Sequence, residues 1–553
     1  MTRPFARPWR LRALLPRLMA GVQTNVWTGV WTGVWALGWV LALLALPCGG
    51  AQAADATKNT LVVMRSADSS SLDPALAYDS ESTVVVAQIY EGLVRQKDGK
   101  PQLEPALAQS WSVSPDRLTW IFTLRKGVLF HDGSPLNAQA AALSIMRQVD
   151  PNNPYHAKRM HTSRLLFENI AGAEALDEYT LRVRLLRPAA SLLLALAAAQ
   201  ASIVSPQALA RWGAEFPNHP TGTGPFKFVE WTKGEAITLA RNPAYWGPAA
   251  QVERVVFRPV PDAGTRFLEF QAGRADALCN ITPSDLTLLD KIPGAKVLRA
   301  PGLNIAYLGI NTQHGHLRRV AVRQAVALAL DRVLLTKLVY GFAAEPALTP
   351  LPPAAMEGAM LPSPATLRGD VPRAKQLLAK EGLAGGFDAL LLVMDTPRAY
   401  LPEPRRMAAA IKQSLAAVGI RVRIQTVAWA NYLPQIARGE HDFCISGWQY
   451  SNPNPHEFFR QKLSWDDLSK GVGSNVSLWR NKRFEELVTL AESSPTAEAR
   501  LRLNQQILQL VAQEAPLVPL AHMKDIIALR PGIRGLILQP SGAELRLSTA
   551  RKD

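Results

Sequence analysis

The stretch Asp442–Phe459, DFCISGWQYSNPNPHEFF, passes from a short strand into a rigid turn. Phe443–Ser446 is mostly apolar, Trp448 follows it, and two prolines then disfavour helix in the residues that precede them. In an open α/β sheet, ligands bind outside the ends of the strands. The stretch therefore predicts aromatic and amide groups at a ligand site. The alternative is an ordinary strand-to-helix corner with a tryptophan in the core.

Strands and helices alternate on either side of this stretch, from about residue 302 to residue 517. Pro402–Val418 has the pattern of a helix, Gly419 ends it, and Ile420–Ile424 alternates between apolar and charged residues as a strand does. This βαβ order predicts a mostly parallel sheet covered by helices. At 553 residues the chain needs more than one core.

The first 53 residues form a segment of a different kind. They contain five arginines and no acidic residue, then an apolar run from Val26 to about Pro47, and then Ala51-Gln52-Ala53. This order predicts a secretory signal peptide, residues 1–53, cleaved near Ala53. An uncleaved membrane anchor is the alternative, because the apolar run approaches spanning length. A lipid anchor at Cys48 is less consistent, because Leu46-Pro47 stand where small residues are expected.

The charge of the chain is positive but scattered. Removing the leader leaves 56 basic and 45 acidic residues, a net charge of +11. The basic residues occur singly or in pairs, and nucleic-acid binding requires a clustered patch, so we expect no nucleic-acid partner. Cys279 and Cys444 lie in apolar, strand-like contexts. We expect two buried free thiols, with a disulfide as the alternative, and no metal-ligand spacing surrounds either.

Spaced motifs then identify a family. The segment W-S-V-S-x-D…T-W-x-F-x-L-R-K-G-V-x-F-H-D-G-x-P, within residues 106–140, resembles the extracytoplasmic solute-binding proteins of peptide-type ABC importers, family 5. The resemblance extends over roughly residues 58–548 and is nearest to dipeptide-binding proteins. The further motifs that carry it are TGTGPF at 221–226, NPAYWG at 242–247, GLNIAYL at 302–308, VRQA at 322–325, LALDR at 328–332 and GW…NP…FF at 447–459.

The resemblance implies a bilobed α/β periplasmic-binding-protein fold with a two-stranded hinge. Lobe I would comprise residues 54–301 and 518–553, with an inserted subdomain at about 81–215, and lobe II residues 302–517. Such a protein binds its ligand by closing the lobes and delivers it to membrane permease subunits that work with a cytoplasmic ATPase. The resemblance thus implies a periplasmic, monomeric receptor for short peptides or peptide-like carboxylates.

The same resemblance suggests which residues hold the two ends of a ligand. In members that bind dipeptides, an arginine before the R-R-M-A helix binds the ligand carboxylate, and Arg398 matches it; a guanidinium can satisfy both carboxylate oxygens. At the position of the aspartate that binds the α-amino group, this chain has Asn454. An amide offers no countercharge for a buried ammonium. Either another acid replaces the aspartate, with Glu457 nearest in sequence, or the ligand lacks a free amine.

Five further residues complete the expected site. Trp448 and Tyr450 would form an aromatic wall, with core packing as the alternative. Leu303 and Asn304 belong to the strand that would pair with an extended peptide through backbone groups. Ser70 would line the cleft, and the alternative is a turn stabilised by its own hydroxyls.

Other classes of function find less support in the sequence. No G-x-S-x-G, H-E-x-x-H or G-x-x-x-x-G-K-[ST] motif occurs, so we expect no enzyme activity, no catalytic residue, no metal and no cofactor. A secreted hydrolase and a membrane-tethered chaperone or sensor of the same fold are the rival classes. Within the binding class, glutathione, haem, a nickel complex and an opine are alternative ligands.

Overall fold

The computed structural model describes residues 59–553 except 78, 101, 157–166, 190, 357–366, 451, 470–473, 495 and 540–544. The predicted signal peptide lies outside the described residues.

The strands, in chain order, are β1 Thr60–Arg65, β2 Val94–Gln96, β3 Leu103–Pro105, β4 Ala108–Val113, β5 Thr119–Leu124, β6 Ile170–Ala175, β7 Thr180–Leu185, β8 Phe226–Thr232, β9 Ala236–Arg241, β10 Arg254–Pro259, β11 Ala277–Leu278, β12 Lys296–Pro301, β13 Asn304–Ile310, β14 Ala344–Pro346, β15 Phe387–Met394, β16 Ile420–Val427, β17 Phe443–Gln449, β18 Leu517–Leu529, β19 Ile533–Arg534, β20 Ile537–Leu538, β21 Leu545–Arg546 and β22 Arg551–Lys552. The α-helices are α1 Ser80–Ile89, α2 Ala138–Val149, α3 Leu192–Leu196, α4 Pro206–Trp212, α5 Ala263–Gln271, α6 Pro283–Leu289, α7 Val320–Ala329, α8 Arg332–Tyr340, α9 Val371–Lys380, α10 Pro404–Ala416, α11 Trp429–Ala437, α12 Pro455–Phe458, α13 Trp465–Ser469, α14 Lys482–Glu492 and α15 Ala497–Glu514. A π-helix, Phe459–Leu463, follows α12 directly.

One large sheet of twelve described strands runs through the molecule in the order β16-β15-β17-β13-β18-β11-β1-β10-β9-β8, with β12 and β14 also paired to β18. Strand β18 is 13 residues long, and it pairs with β13 and β14 near its start and with β11 and β12 near its end. The two halves of the sheet are therefore joined through β18.

The expectation of a mostly parallel sheet is wrong. β15 runs parallel to β16 and β17, and β1 runs parallel to β10 and β11. The central pairs, β13 with β17 and β13 with β18, are antiparallel. The βαβ rhythm indicates parallel pairing only where a helix connects neighbouring strands. The βαβ rhythm does not indicate the direction of the strands that carry the chain from one half of the sheet to the other.

Separate apolar cores lie on the two halves of the sheet. One core packs β13, β15, β16 and β17 against helices α7 to α12, α14 and α15. A second packs β1 and β8 to β10 against α1, and a third surrounds the four-stranded sheet β4-β5-β7-β6 and α2. A fourth lies on the other face of β1 and β11, against α5. The chain thus builds several cores, as its length requires.

The sequence motifs of the first half meet at one buried carboxylate. Glu91 accepts hydrogen bonds from the Thr223 hydroxyl at 2.9 Å, the Tyr245 hydroxyl at 2.8 Å and the Trp246 indole N–H at 2.8 Å. Burial raises the pKa of Glu91, and the three donors oppose that effect. The TGTGPF and NPAYWG motifs are therefore structural, because both supply donors to the same acid.

The glycine at 224 is required by close backbone approach. A Cβ on Gly224 would lie 2.5 Å from the carbonyl oxygen of Gln88 and 2.7 Å from that of Ile89, at the end of α1. The Gly224 carbonyl oxygen also accepts a hydrogen bond from His131 Nε2 at 3.0 Å. Burial lowers the pKa of His131 to about 4, so the neutral ring is the form that the fold uses. The His131-Asp132 pair is thus part of the packing.

Replacing Glu91 tests this network. We expect Glu91→Leu to lower the free energy of unfolding by about 3 kcal/mol, because three donors, on the buried Thr223 and the half-buried Tyr245 and Trp246, lose their acceptor. Urea denaturation measures it. Glu235, in an exposed turn, is the control, and Glu235→Leu should change stability by less than about 0.5 kcal/mol. Equal effects of the two substitutions would contradict the role of Glu91.

Candidate ligand-binding cleft

Strand β17 leads directly into the segment that lines a cleft. Its residues from Phe443 to Gly447 are buried, and Trp448 is half-buried at the end of the strand. Asn454 is the N-cap of α12, where its side-chain oxygen accepts a hydrogen bond from the His456 N–H at 3.1 Å. The two prolines in the turn thus lead into a capped helix, which fits the alternative of a strand-to-helix corner.

An open cleft lies beside this segment. One wall comes from residues near β6, β7 and α3, and the other from residues 452–492. The lining residues are Glu168, Asn169, Ile170, Leu185, Arg187, Pro188, Ala189, Ser191, Leu192, Ala195, Asn452, Asn454, His456, Glu457, Arg460, Gln461 and Glu492. Asn454 and Glu457, two of the predicted site residues, therefore face the same space.

The most prominent cation of this cleft is already neutralised. Arg460 donates to Glu492 at 2.9 Å and lies 3.5 Å from a Glu485 oxygen and 3.8 Å from an Asp467 oxygen. Across the cleft, burial raises the pKa of Glu168, whose carboxylate is 3.7 Å from Arg187. The charges of these groups balance one another, so Arg460 is not the residue that would bind an anionic ligand.

Arg398 differs from Arg460 in having no acid beside it. It lies in the loop between β15 and α10, where its backbone exchanges hydrogen bonds with Leu401 at 2.8 and 3.0 Å. The guanidinium carbon is 3.6 Å from the centre of the Trp429 ring, and Nε is buried with no hydrogen-bond acceptor. Among the described residues, no carboxylate lies within 4 Å of this guanidinium. Arg398 is thus oriented by an aromatic ring and keeps its donors for another group.

Trp448 is held in a similar way. The Lys462 ammonium lies 3.9 Å from the centre of its ring, and the indole Nε1 is buried without an acceptor. The preceding residue, Gly447, leaves room for Tyr400: a Cβ there would lie 2.2 Å from Tyr400 Cδ2 and 2.4 Å from the carbonyl oxygen of Ile305. Tyr400 follows Arg398 by two residues, so the Tyr400–Gly447 contact links the two aromatic–cation pairs into one wall.

The structure contradicts the prediction that Leu303 and Asn304 offer backbone groups to a ligand. β13 lies between β17 and β18, and the Leu303 carbonyl oxygen accepts the Tyr450 N–H at 2.8 Å. The Asn304 carbonyl oxygen accepts from His522 at 2.6 Å, and its side chain bonds both backbone groups of Met523, at 2.7 and 3.0 Å. The two carbonyl oxygens and the Asn304 side chain are thus occupied, because β13 is an interior strand.

The edge of β17 that faces away from β13 is the free one. Tyr450 pairs with Leu303 by a hydrogen bond, so in the antiparallel alternation the backbone groups of Gly447 and Gln449 point away from β13. On that side, β15 pairs only with Phe443 and Cys444. The strand edge suited to an extended ligand is therefore at Gly447–Gln449.

Two other predicted site residues have structural roles. Tyr450 is 2% exposed, stacks with Phe458 and donates its hydroxyl to the Pro350 carbonyl oxygen at 2.9 Å. This is the core packing that was the alternative to an aromatic wall. Ser70 is exposed, but its hydroxyl donates to Asp79 and its N–H donates to Ser82 at 2.8 Å. It stabilises the turn before α1.

Sequence reasoning missed Trp429 and Lys462. Neither residue belongs to a motif that carries the family resemblance. The pairs Arg398–Trp429 and Trp448–Lys462 are 31 and 14 positions apart, and such spacings leave no periodic signal in the sequence.

Cys279 and Cys444 are free thiols, as expected, but only Cys444 is buried and Cys279 is half-buried. Burial raises the pKa of each thiol to about 12.

Comparison with known proteins decides the family. The model of the bacterial extracellular solute-binding proteins, family 5, matches residues 102–469, which is more than half of the chain. The chain belongs to this family of solute-binding proteins.

Relatives of this solute-binding protein agree over nearly its whole length. Haem-binding protein A of Haemophilus influenzae is 32% identical over 89% of this chain and 92% of its own. The dipeptide-binding protein of Escherichia coli is 32% identical over 89% and 94%. The structure of HbpA2 from Haemophilus parasuis is 30% identical with a TM-score of 0.82, covering 90% of this chain and 100% of its own. The predicted bilobed α/β fold is confirmed.

None of the helices in the described part of the chain is long and apolar enough to cross a membrane. Those same residues contain no group of three histidine, cysteine, aspartate or glutamate side chains placed to hold a metal ion.

A methyl group at position 447 tests the wall. We expect Gly447→Ala to lower the free energy of unfolding by about 1 to 3 kcal/mol, because both the Tyr400 ring and a backbone oxygen occupy the space for Cβ. Chemical denaturation measures it. Gly385 has no atom near the position of a Cβ, so Gly385→Ala is the control and should be nearly neutral. A neutral Gly447→Ala would show that Tyr400 does not pack there.

Proposed function

We propose that this protein is the substrate-binding component of an ABC importer and that it captures short peptides or peptide-like carboxylates by closing its lobes. The observation that carries the proposal is Arg398: a guanidinium held flat on Trp429, with a buried Nε that has no acceptor. A carboxylate would satisfy it with two parallel hydrogen bonds. The E. coli dipeptide-binding protein and a Pseudoalteromonas protein in complex with Met-Leu support peptides as the ligand class.

Extended peptides would bind along β17. The outward backbone groups of Gly447 and Gln449 can pair with a peptide backbone, which gives affinity without selecting side chains. Trp448, at the same strand end, would cover one face of the ligand. The sequence suggested the crossover strand β13 for this role, and we assign the role to its neighbour β17 instead.

The opposite end of the ligand would lie near Asn454 and Glu457. The Asn454 side-chain oxygen already accepts the His456 N–H at 3.1 Å, although an amide oxygen has a second lone pair. Glu457 lines the same cleft and supplies the negative charge that Asn454 lacks. An ammonium would be stabilised by Glu457, and a blocked amine by Asn454.

Closure would be supported by a contact across the molecule. The Arg117 guanidinium, in the turn between β4 and β5, donates to the Ser494 carbonyl oxygen just beyond α14. A cation at the end of a helix also interacts favourably with the helix dipole. This contact joins the core of the small four-stranded sheet to that of β13–β17, so it favours the closed form.

The remaining parts of the proposal follow the family. We propose that residues 1–53 direct export and are removed near Ala53, and that the protein acts as a monomer in the periplasm. It would deliver its ligand to permease subunits that work with a cytoplasmic ATPase. Residues 54–301 and 518–553 would form lobe I, with the subdomain at about 81–215, and residues 302–517 lobe II.

Related proteins differ in what they bind. One is described as haem-binding, and a structure 26% identical with a TM-score of 0.69 contains agropinic acid. Family membership alone therefore does not select the ligand. The unpaired guanidinium of Arg398 favours an acid-bearing ligand, and a haem propionate or an opine carboxylate would be the runner-up to a peptide.

Replacing Arg398 tests the carboxylate role. We expect Arg398→Gln to weaken binding of a dipeptide by roughly 30-fold or more, because the ligand carboxylate loses a paired charge. Isothermal titration calorimetry measures it. Arg405, exposed on α10, is the matched control, and Arg405→Gln should bind as the unaltered protein does. Equal affinities for all three proteins would contradict the proposal.

The amino end is tested by comparing dipeptides with free and acetylated amino termini in a thermal shift assay. A ligand that binds the native state raises the melting temperature. We expect Asn454→Asp to strengthen binding of the free-amine form by about tenfold and to weaken that of the acetylated form, because it adds a countercharge. If the substitution affects both forms alike, Asn454 does not contact the amino end.

A further inference from the structure

Lys462 is a half-buried cation without an acid to balance it. Its Nζ lies over the Trp448 ring and donates to the Ser474 hydroxyl at 2.5 Å. No carboxylate of the described residues lies within 4 Å of it. Burial lowers the pKa of Lys462 to about 7, and the charge of Glu457 opposes that effect only in part. Holding an isolated ammonium in this way costs stability, so a purely packing role would be served better by an apolar side chain.

Two buried donors on the same wall also lack acceptors. These are Trp448 Nε1 and Arg398 Nε. Buried donors are nearly always hydrogen-bonded in folded proteins, and each exception requires an explanation. Acceptors supplied by a bound ligand would explain both, because Trp448 follows Gly447 directly and Arg398 lies two residues before Tyr400, the ring that packs on Gly447.

The number of donors exceeds what one acidic group can satisfy. A single carboxylate bound in a bidentate manner uses the Arg398 guanidinium fully. The Trp448 indole N–H and the Lys462 ammonium then still need an acceptor, and an anionic one would restore the charge of Lys462. Trp448 is the penultimate residue of β17 and Lys462 lies in the π-helix after α12, so this pair comes from elements other than the loop that carries Arg398.

We propose that Lys462 and Trp448 Nε1 form a second acid-binding subsite, so that the preferred ligands carry two carboxylates, as a peptide with a glutamate side chain or a γ-glutamyl peptide does. This inference rests on the proposed function, because it places the first carboxylate on Arg398. It defines a substrate class that the peptide-binding assignment alone does not.

The test compares alanyl-glutamate with alanyl-glutamine, which differ in charge but hardly in shape, each with its amino end in the form that binds. By isothermal titration calorimetry at pH 6.5, we expect alanyl-glutamate to bind at least about tenfold more tightly. In Lys462→Met this preference should vanish, with the affinity for alanyl-glutamine nearly unchanged. Lys462→Arg should keep the preference, and so should Lys412→Met, which removes a charge exposed on α10 of the same half.

Lys462→Gln serves as a second uncharged variant if Lys462→Met does not fold. We expect each variant to have a melting temperature equal to or above that of the unaltered protein. Equal binding of the two peptides to the unaltered protein would overturn the inference while leaving the proposed function intact. So would an equal loss of both affinities in Lys462→Met. Failure of every peptide to bind would instead refute the proposed function.

Proton exchange provides an independent readout. At pH 8 the empty site holds Lys462 mostly neutral, and a bound carboxylate would raise its pKa, so alanyl-glutamate should take up close to one proton more than alanyl-glutamine. Glu457 is the only charged group of the described residues that acts on Lys462, and it is present for both peptides. Titrations in two buffers of different ionisation enthalpy give the difference; a value of zero would contradict the inference.

Discussion

Strand β18 is shared by both halves of the large sheet, and the Asn304 side chain fixes where it crosses. By bonding the N–H and the carbonyl oxygen of Met523, Asn304 replaces a strand neighbour at the point where the chain leaves one core for the other. A strand common to two cores lets them rotate about a short segment without separating. The position of β13 and β17 beside β18, and hence the position of the cleft wall, depends on this crossing.

The wall that contains Arg398 and Lys462 carries two cations with no acid within 4 Å among the described residues. In the cleft, Arg460 is neutralised by three acids. Arg398 and Lys462 instead rest on the faces of Trp429 and Trp448, which orient a cation without consuming its hydrogen-bond donors. Such a wall is pre-organised for an anionic ligand, because little conformational entropy remains to be lost when the ligand binds.

Much of this arrangement could be predicted from the sequence. Ile420, Val422 and their charged neighbours form a strand with the expected alternation, and the turn after Trp448 ends in a capped helix. The parallel sheet was wrongly predicted, because antiparallel crossings between lobes have no local pattern. Leu303 and Asn304 were wrongly chosen for backbone binding, since hydrophobic order cannot show which edge of a strand is covered. Trp429 and Lys462 were missed because the cation–aromatic pairs arise only from tertiary packing.

The central claim is that Arg398 receives a ligand carboxylate on this wall. A crystal structure of the mature protein with a bound dipeptide tests it most directly. The account predicts a carboxylate oxygen within about 3 Å of the Arg398 guanidinium, with the peptide backbone paired to Gly447 and Gln449. A dipeptide bound elsewhere, with Arg398 still resting on Trp429 and making no contact to it, would contradict the account.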